Sequence, residues 1–284
     1  MGSGAAREGG MARRIGVVAI HGMGTFGVEK PERSDLPSYS SGLFERARQQ
    51  FGEVDFDALV EWREAYYSHV FDKNQAKFVK ATENLVSYGF LRDLAVSNLG
   101  DPASYHGGGG KNPKPVYKAV HDEIGKAFDR LRAKLEPQSP IVIVAHSLGG
   151  HVVSNYLYDL QFADPKAPGD VAAIMTIGCN LSLFLFGEDP KGITAISHPG
   201  SRLAPKFRPK TWWRNYFDRN DPLGFPIGPT GGDYSRMAKA GTLVDEQVDV
   251  GLPLLSMTAL SHVAYWSDTD IAVRLANLLQ TLRL

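Results

Sequence analysis

The stretch Ile141-Val142-Ile143-Val144-Ala145-His146-Ser147-Leu148-Gly149-Gly150-His151-Val152-Val153 decides the reading of this chain. An apolar, β-branched strand runs into a turn of small residues, and a helical pattern follows at once. A serine at that corner is forced onto a strained strand-to-helix turn. Ala145 and Gly149, two positions to either side, let neighbouring backbone pass close. The hydroxyl then projects beside the first free N–H groups of the helix, the layout of a nucleophile elbow suited to acyl transfer. The common form of the motif has glycine where this chain has Ala145. The competing reading makes Ser147 an ordinary helix N-cap after a buried strand.

Outward from the elbow, strands and helices alternate. Arg14 to Ile20 is a continuous apolar run, read as a strand buried on both faces, and it ends in His21-Gly22-Met23-Gly24. Residues 40–51 carry apolar side chains at helical spacing, and 57–67 are predicted to hold a second strand. Val116, Val120, Ile124, Phe128, Leu131 and Leu135 define an amphipathic helix over 116–135. Further strands are predicted at 140–145, 171–177, 212–218 and near 248–258. A last helix is capped by Asp268 or Ser267. This alternation predicts an α/β fold, a mostly parallel central sheet with helices on both faces. Residues 68–113 break the pattern, bear several aromatics and end in four consecutive glycines. They are read as an inserted cap or lid, or else as a plain helical insertion. Residues 1–13 are glycine-rich and read as a flexible leader, leaving 14–284 as a single domain.

The 284 residues suffice for a sizeable core, and 31 basic side chains balance 31 acidic ones. No global field draws nucleic acid or an anionic membrane, and no stretch approaches the length of a membrane span. Cys179 is the one cysteine and sits at a strand end, so it reads as a core thiol in a cytoplasmic protein. No His-Glu-x-x-His, cysteine pair or carboxylate cluster has metal-ligand spacing, so no metal or cofactor is expected.

A serine nucleophile needs a base, and the base needs a group to orient it. Of the eight histidines, His262 lies between the last strand and the last helix, where a loop overhangs the carboxyl end of a parallel sheet. His146 and His151 flank the elbow with their side chains directed away from the hydroxyl. For the acid, Asp218 and Asp221 compete within Tyr216 to Pro226. Asp221 is preferred because a turn residue beyond the strand end can reach the His262 loop. Two oxyanion donors are needed, and the N–H groups of Leu148 and Met23 are nominated. His21 and Phe184 are expected to line the substrate pocket.

Together these pieces resemble the α/β-hydrolase superfamily, specifically its lipase- and esterase-like members. The resemblance rests on Ile20-His21-Gly22-Met23-Gly24, Ala145 to Gly150, Asn220-Asp221-Pro222 and Ser261-His262, in the chain order Ser, Asp, His. Asp221 to Pro226 is similar to that superfamily's acid loop. The resemblance implies Ser147 as nucleophile, His262 as base and then acid, and Asp221 as its orienting partner. Phe184, Leu185, Phe186 and the aromatic insertion suggest a small ester with an apolar acyl or aryl group as substrate. Thioester or amide cleavage, transfer to an alcohol, or a non-catalytic binding protein on the same scaffold are the alternatives.

Overall fold

The structure is a computed structural model that describes residues 13–22, 36–82, 105, 109, 112–164, 168–250 and 262–283. Among the described residues, six strands form one sheet: β1 (Ile15–Ile20), β2 (Val60–Ala65), β3 (Ile141–His146), β4 (Val171–Ile177), β5 (Trp213–Asp218) and β6 (Leu243–Val248). Their order is β2-β1-β3-β4-β5-β6, and every pairing is parallel. The predicted α/β architecture is the observed one. Strands β1, β3 and β4 are buried along their whole length, which is why they read as unbroken apolar runs.

Successive side chains of a strand point to opposite faces, and the two cores follow that rule. Val17 and Ala19 of β1, with Val142 and Val144 of β3, face one core. Val18 and Ile20, with Ile143 and Ala145, face the other. The first core is covered by α1 (Ser41–Phe51) and by α8 (Thr269–Thr281). The second is covered by α4 (Pro115–Arg132) and α5 (Leu148–Ala163). The remaining helices are α2 (Glu53–Leu59), α3 (His69–Thr82), the single turn α6 (Leu181–Phe184) and α7 (Gly232–Ala240). Pro115 stands in the first turn of α4, where a missing N–H costs nothing. The helix buries Val120, Ile124, Phe128 and Leu131 of the expected apolar stripe. Asp268 caps α8, its carboxylate accepting the Ile271 N–H at 3.0 Å.

The elements differ from the sequence reading in two places. Residues 53–59 are helical, so the second strand begins at Val60. A strand at Leu243–Val248 was not expected, and of the strand expected near 248–258 residues 251–258 lie outside the described residues. Of the proposed 68–113 insertion, α3, Tyr105, Gly109 and residues 112–113 are described. Residues 1–12 of the leader lie outside the described set. No helix among the described residues is long and apolar enough to cross a membrane.

Candidate active site

The parallel sheet delivers the carboxyl ends of β1, β3, β4 and β5 to one edge, and the candidate residues gather there. Ser147 follows β3 directly and has φ 53° and ψ −124°, a left-handed conformation rare outside glycine. Its amide donates to the Ile177 carbonyl at the end of β4 (3.1 Å), which fixes the corner from the neighbouring strand. Its side chain makes no capping hydrogen bond to α5. The N-cap reading of this serine is therefore not what the geometry displays. Leu148 opens α5, so its N–H has no intrahelical carbonyl one turn back to meet.

Close packing at this corner demands small residues. A Cβ added at Gly149 would lie 2.5 Å from the His21 carbonyl oxygen, and one at Gly22 would lie 2.7 Å from the Ser147 Cβ and 3.2 Å from its Oγ. The loop after β1 thus rests directly on the serine. Met23, the second proposed oxyanion donor, lies outside the described residues.

His262 and Asp221 meet. The His262 Nδ1 is 2.9 Å from both carboxylate oxygens of Asp221. Both residues are buried. Burial raises the pKa of Asp221, but the hydrogen bond and charge of His262, with the Leu223 N–H and Tyr265 O–H, outweigh it and hold the carboxyl below its ordinary value. Asp218 is occupied elsewhere. Its two oxygens accept the Asn220 N–H (2.7 Å) and the Val250 N–H (2.8 Å), so it braces the turn.

His262 is also tied to the residue before Ser147. His146, the residue before Ser147, donates from Nε2 to the His262 carbonyl oxygen at 2.6 Å, and the two rings lie 4.7 Å apart. Burial, with the charge of neighbouring His262 a further cause, lowers the His146 pKa to about 3, so this ring is neutral. Among the described residues, Ser147 Oγ and His262 Nε2 are both buried without a hydrogen-bond partner. No hydrogen bond joins the two. Such links are often long in ligand-free enzymes and tighten with substrate bound.

His21, expected in the pocket wall, is fully buried. Its ring stacks on Tyr67 at 4.1 Å, its Nδ1 lies 2.8 Å from the Gly22 oxygen, and its Nε2 accepts the Tyr67 N–H. Both nitrogens serve the loop after β1. Phe184 stacks on His151 at 4.5 Å and lines a cavity of about 390 Å³ beside α5, whose lining includes His151 and Ser154 but not Ser147, His262 or His21. Phe186, two residues on, is exposed. Cys179 is buried against Gly150, and burial pushes its thiol up to about 12. Among the described residues, no group of three or more His, Cys, Asp or Glu is placed to hold a metal ion.

Sequence reasoning passed over Tyr265, whose hydroxyl is 3.0 Å from Asp221 Oδ2. It also passed over Gly178 and Gly224, which press on that carboxylate. No local signal marks Tyr265, because its partner lies 44 residues away along the chain.

No family model and no curated protein matches the chain. In layout it is similar to solved structures of other proteins. One is a cutinase-like protein from Cryptococcus sp., with 13% identity, 96% of this chain and 97% of that chain covered, and a TM-score of 0.44. Another is Est1E from Butyrivibrio proteoclasticus, with 10% identity, coverage of 97% and 90%, and a TM-score of 0.41. A third is carboxyl esterase 2 from the mycorrhizal fungus Tuber melanosporum, with 12% identity, coverage of 96% and 77%, and a TM-score of 0.40.

Proposed function

We propose that this chain is a serine hydrolase of carboxylic esters, working through an acyl-enzyme on Ser147. The observation that carries the reading is the His262–Asp221 pair at 2.9 Å, tied through His146 to the strained corner at which Ser147 sits. A base with its acid partner in place and Nε2 left uncommitted is built to take a proton from a nearby hydroxyl. In this scheme Ser147 Oγ attacks the ester carbonyl while His262 Nε2 accepts its proton. Asp221 keeps the proton on Nδ1 and stabilises the imidazolium. The oxyanion is received by the Leu148 N–H and by the Met23 N–H. His262 returns the proton to the leaving alcohol, and a water molecule activated by the same ring releases the acid.

The substrate is proposed to be a small ester whose apolar acyl or aryl part enters the cavity beside Phe184. At about 390 Å³ the cavity is within the usual range for small-molecule sites. No metal or cofactor enters the scheme. A cytoplasmic setting suits a chain with one buried cysteine.

Turnover of short p-nitrophenyl esters tests the reading. Ser147→Ala is expected to lower kcat by several orders of magnitude, to roughly 10³–10⁴-fold above water, and to abolish labelling by a fluorophosphonate. Undiminished hydrolysis by the alanine chain would overturn it. Product analysis with added alcohol separates hydrolysis from acyl transfer.

A further inference from the structure

We propose that Tyr265 is the positioning residue of this site: its hydroxyl ties the Asp221 carboxylate to the end of β5 and so sets the direction of the His262 ring. The proposal rests on the hydrolase reading above.

Proton accounting fixes the direction of the contact. The Asp218 N–H donates to the Tyr265 oxygen at 2.8 Å. The phenol's own proton is then free for Asp221 Oδ2, 3.0 Å away. Tyr265 is fully buried, and burial together with the Asp221 charge keeps its hydroxyl protonated by raising its pKa. It is therefore a permanent donor.

The carboxylate is held evenly. Oδ1 accepts the Leu223 N–H at 2.9 Å, Oδ2 accepts the Tyr265 hydroxyl, and His262 Nδ1 lies 2.9 Å from each oxygen. Each oxygen thus has one donor of its own and shares the imidazole. Removing the Tyr265 donor unbalances the arrangement and lets the carboxylate rotate.

Space is cleared for this contact by two glycines from separate loops. Gly178, after β4, has φ 53°, and a Cβ there would lie 2.8 Å from Tyr265 Cε2 and 3.0 Å from Asp221 Oδ2. A Cβ on Gly224 would lie 2.5 Å from the same oxygen. Tyrosine and carboxylate are wedged together by backbone on both sides. Packing alone does not require the hydroxyl, because phenylalanine would fill the same volume.

Tyr265→Phe is therefore expected to lower kcat/KM about tenfold, the size of one charge-assisted hydrogen bond, and to do so through kcat with KM nearly unchanged.

A double-mutant cycle with Asp221→Asn makes the test specific. If Tyr265 acts through the carboxylate, removing its hydroxyl from the Asp221→Asn chain costs almost nothing further. Wild-type kcat/KM in the phenylalanine chain, or losses that simply multiply, would overturn the proposal. Rates are normalised to active sites titrated with a fluorophosphonate. Should the phenylalanine chain not fold, Tyr265→Met, which also lacks the donor and adapts to the space left, takes its place in the cycle. Losses there that multiply with those of Asp221→Asn overturn the proposal equally. Loss of activity in Ser147→Ala alongside an unaffected Tyr265→Phe would leave the hydrolase reading standing and sink this one alone.

Discussion

Ser147 occupies backbone space that side chains with a Cβ usually avoid, and such a conformation costs about 1–3 kcal/mol. It is sustained by the amide bond to the Ile177 carbonyl and by the close approach of the loop after β1. Gly22 is the sensitive point of that approach. Gly22→Ala would drive a methyl to within 2.7 Å of the Ser147 Cβ and 3.1 Å of His146 Nδ1. On the proposed reading kcat/KM falls on the order of 10²-fold, because displacement by a fraction of an ångström spoils attack geometry. A thermal melt by circular dichroism within a few degrees of wild type, alongside the ester assay, checks that the loss is local. Ser147 was legible because the small residues around it form a local pattern. The preference for Asp221 over Asp218 rested on reach, and in the structure it is Asp221 whose carboxylate meets the His262 ring. Tyr265 was illegible because its importance lies in a contact to the turn after β5, 44 residues away along the chain.

Among the elements, the buried strands were the easiest to read and the edge strand the hardest. Strands β3 and β4 are covered on both faces, and apart from His146 and Thr176 their residues are apolar. At the edge of the described sheet, β6 reads Leu-Val-Asp-Glu-Gln-Val, with only its end residues buried. Its polar middle gave no apolar run, so the sequence reading passed over it. Helix α2 was missed because seven residues with one buried side chain, Phe56, show no helical period. The last helix shows the opposite case, with a cap and stripe both visible in sequence. Asp268→Ala removes the acceptor for the Ile271 N–H and is expected to cost about 1 kcal/mol. Equilibrium denaturation should register that loss with kcat/KM unchanged, since α8 packs on the face of the sheet behind the site.

For the whole molecule, pH is the most informative variable. Burial lowers His21 and His121 from 6.5 to about 4 and His146 to about 3. All three are neutral in the folded chain between those values and 6.5, whereas the unfolded chain takes up a proton at each. Unfolding is therefore favoured as the pH falls, each histidine contributing about 1.4 kcal/mol per pH unit across its window. Asp221 is shifted in the same direction, downward, and so acts with the same sign at lower pH: its stability is present above the ordinary carboxylate value and is lost as the pH falls from there through the folded value. Denaturation curves at pH 7.0, 5.5 and 4.5 should show stability dropping steeply below pH 6.5, and a flat profile would contradict the buried neutral histidines. The strand order itself was not legible. Parallel strands adjacent in the sheet can be far apart in the chain, and local periodicity carries no record of which crossover goes where.

That order has a practical corollary. The hydroxyl, the carboxylate and the imidazole enter from three separate crossings of the sheet, and 41 residues of chain separate the last two. No fragment and no half-assembled intermediate holds all three, so on the proposed reading a fluorogenic ester would count intact molecules in a mixture and ignore damaged ones.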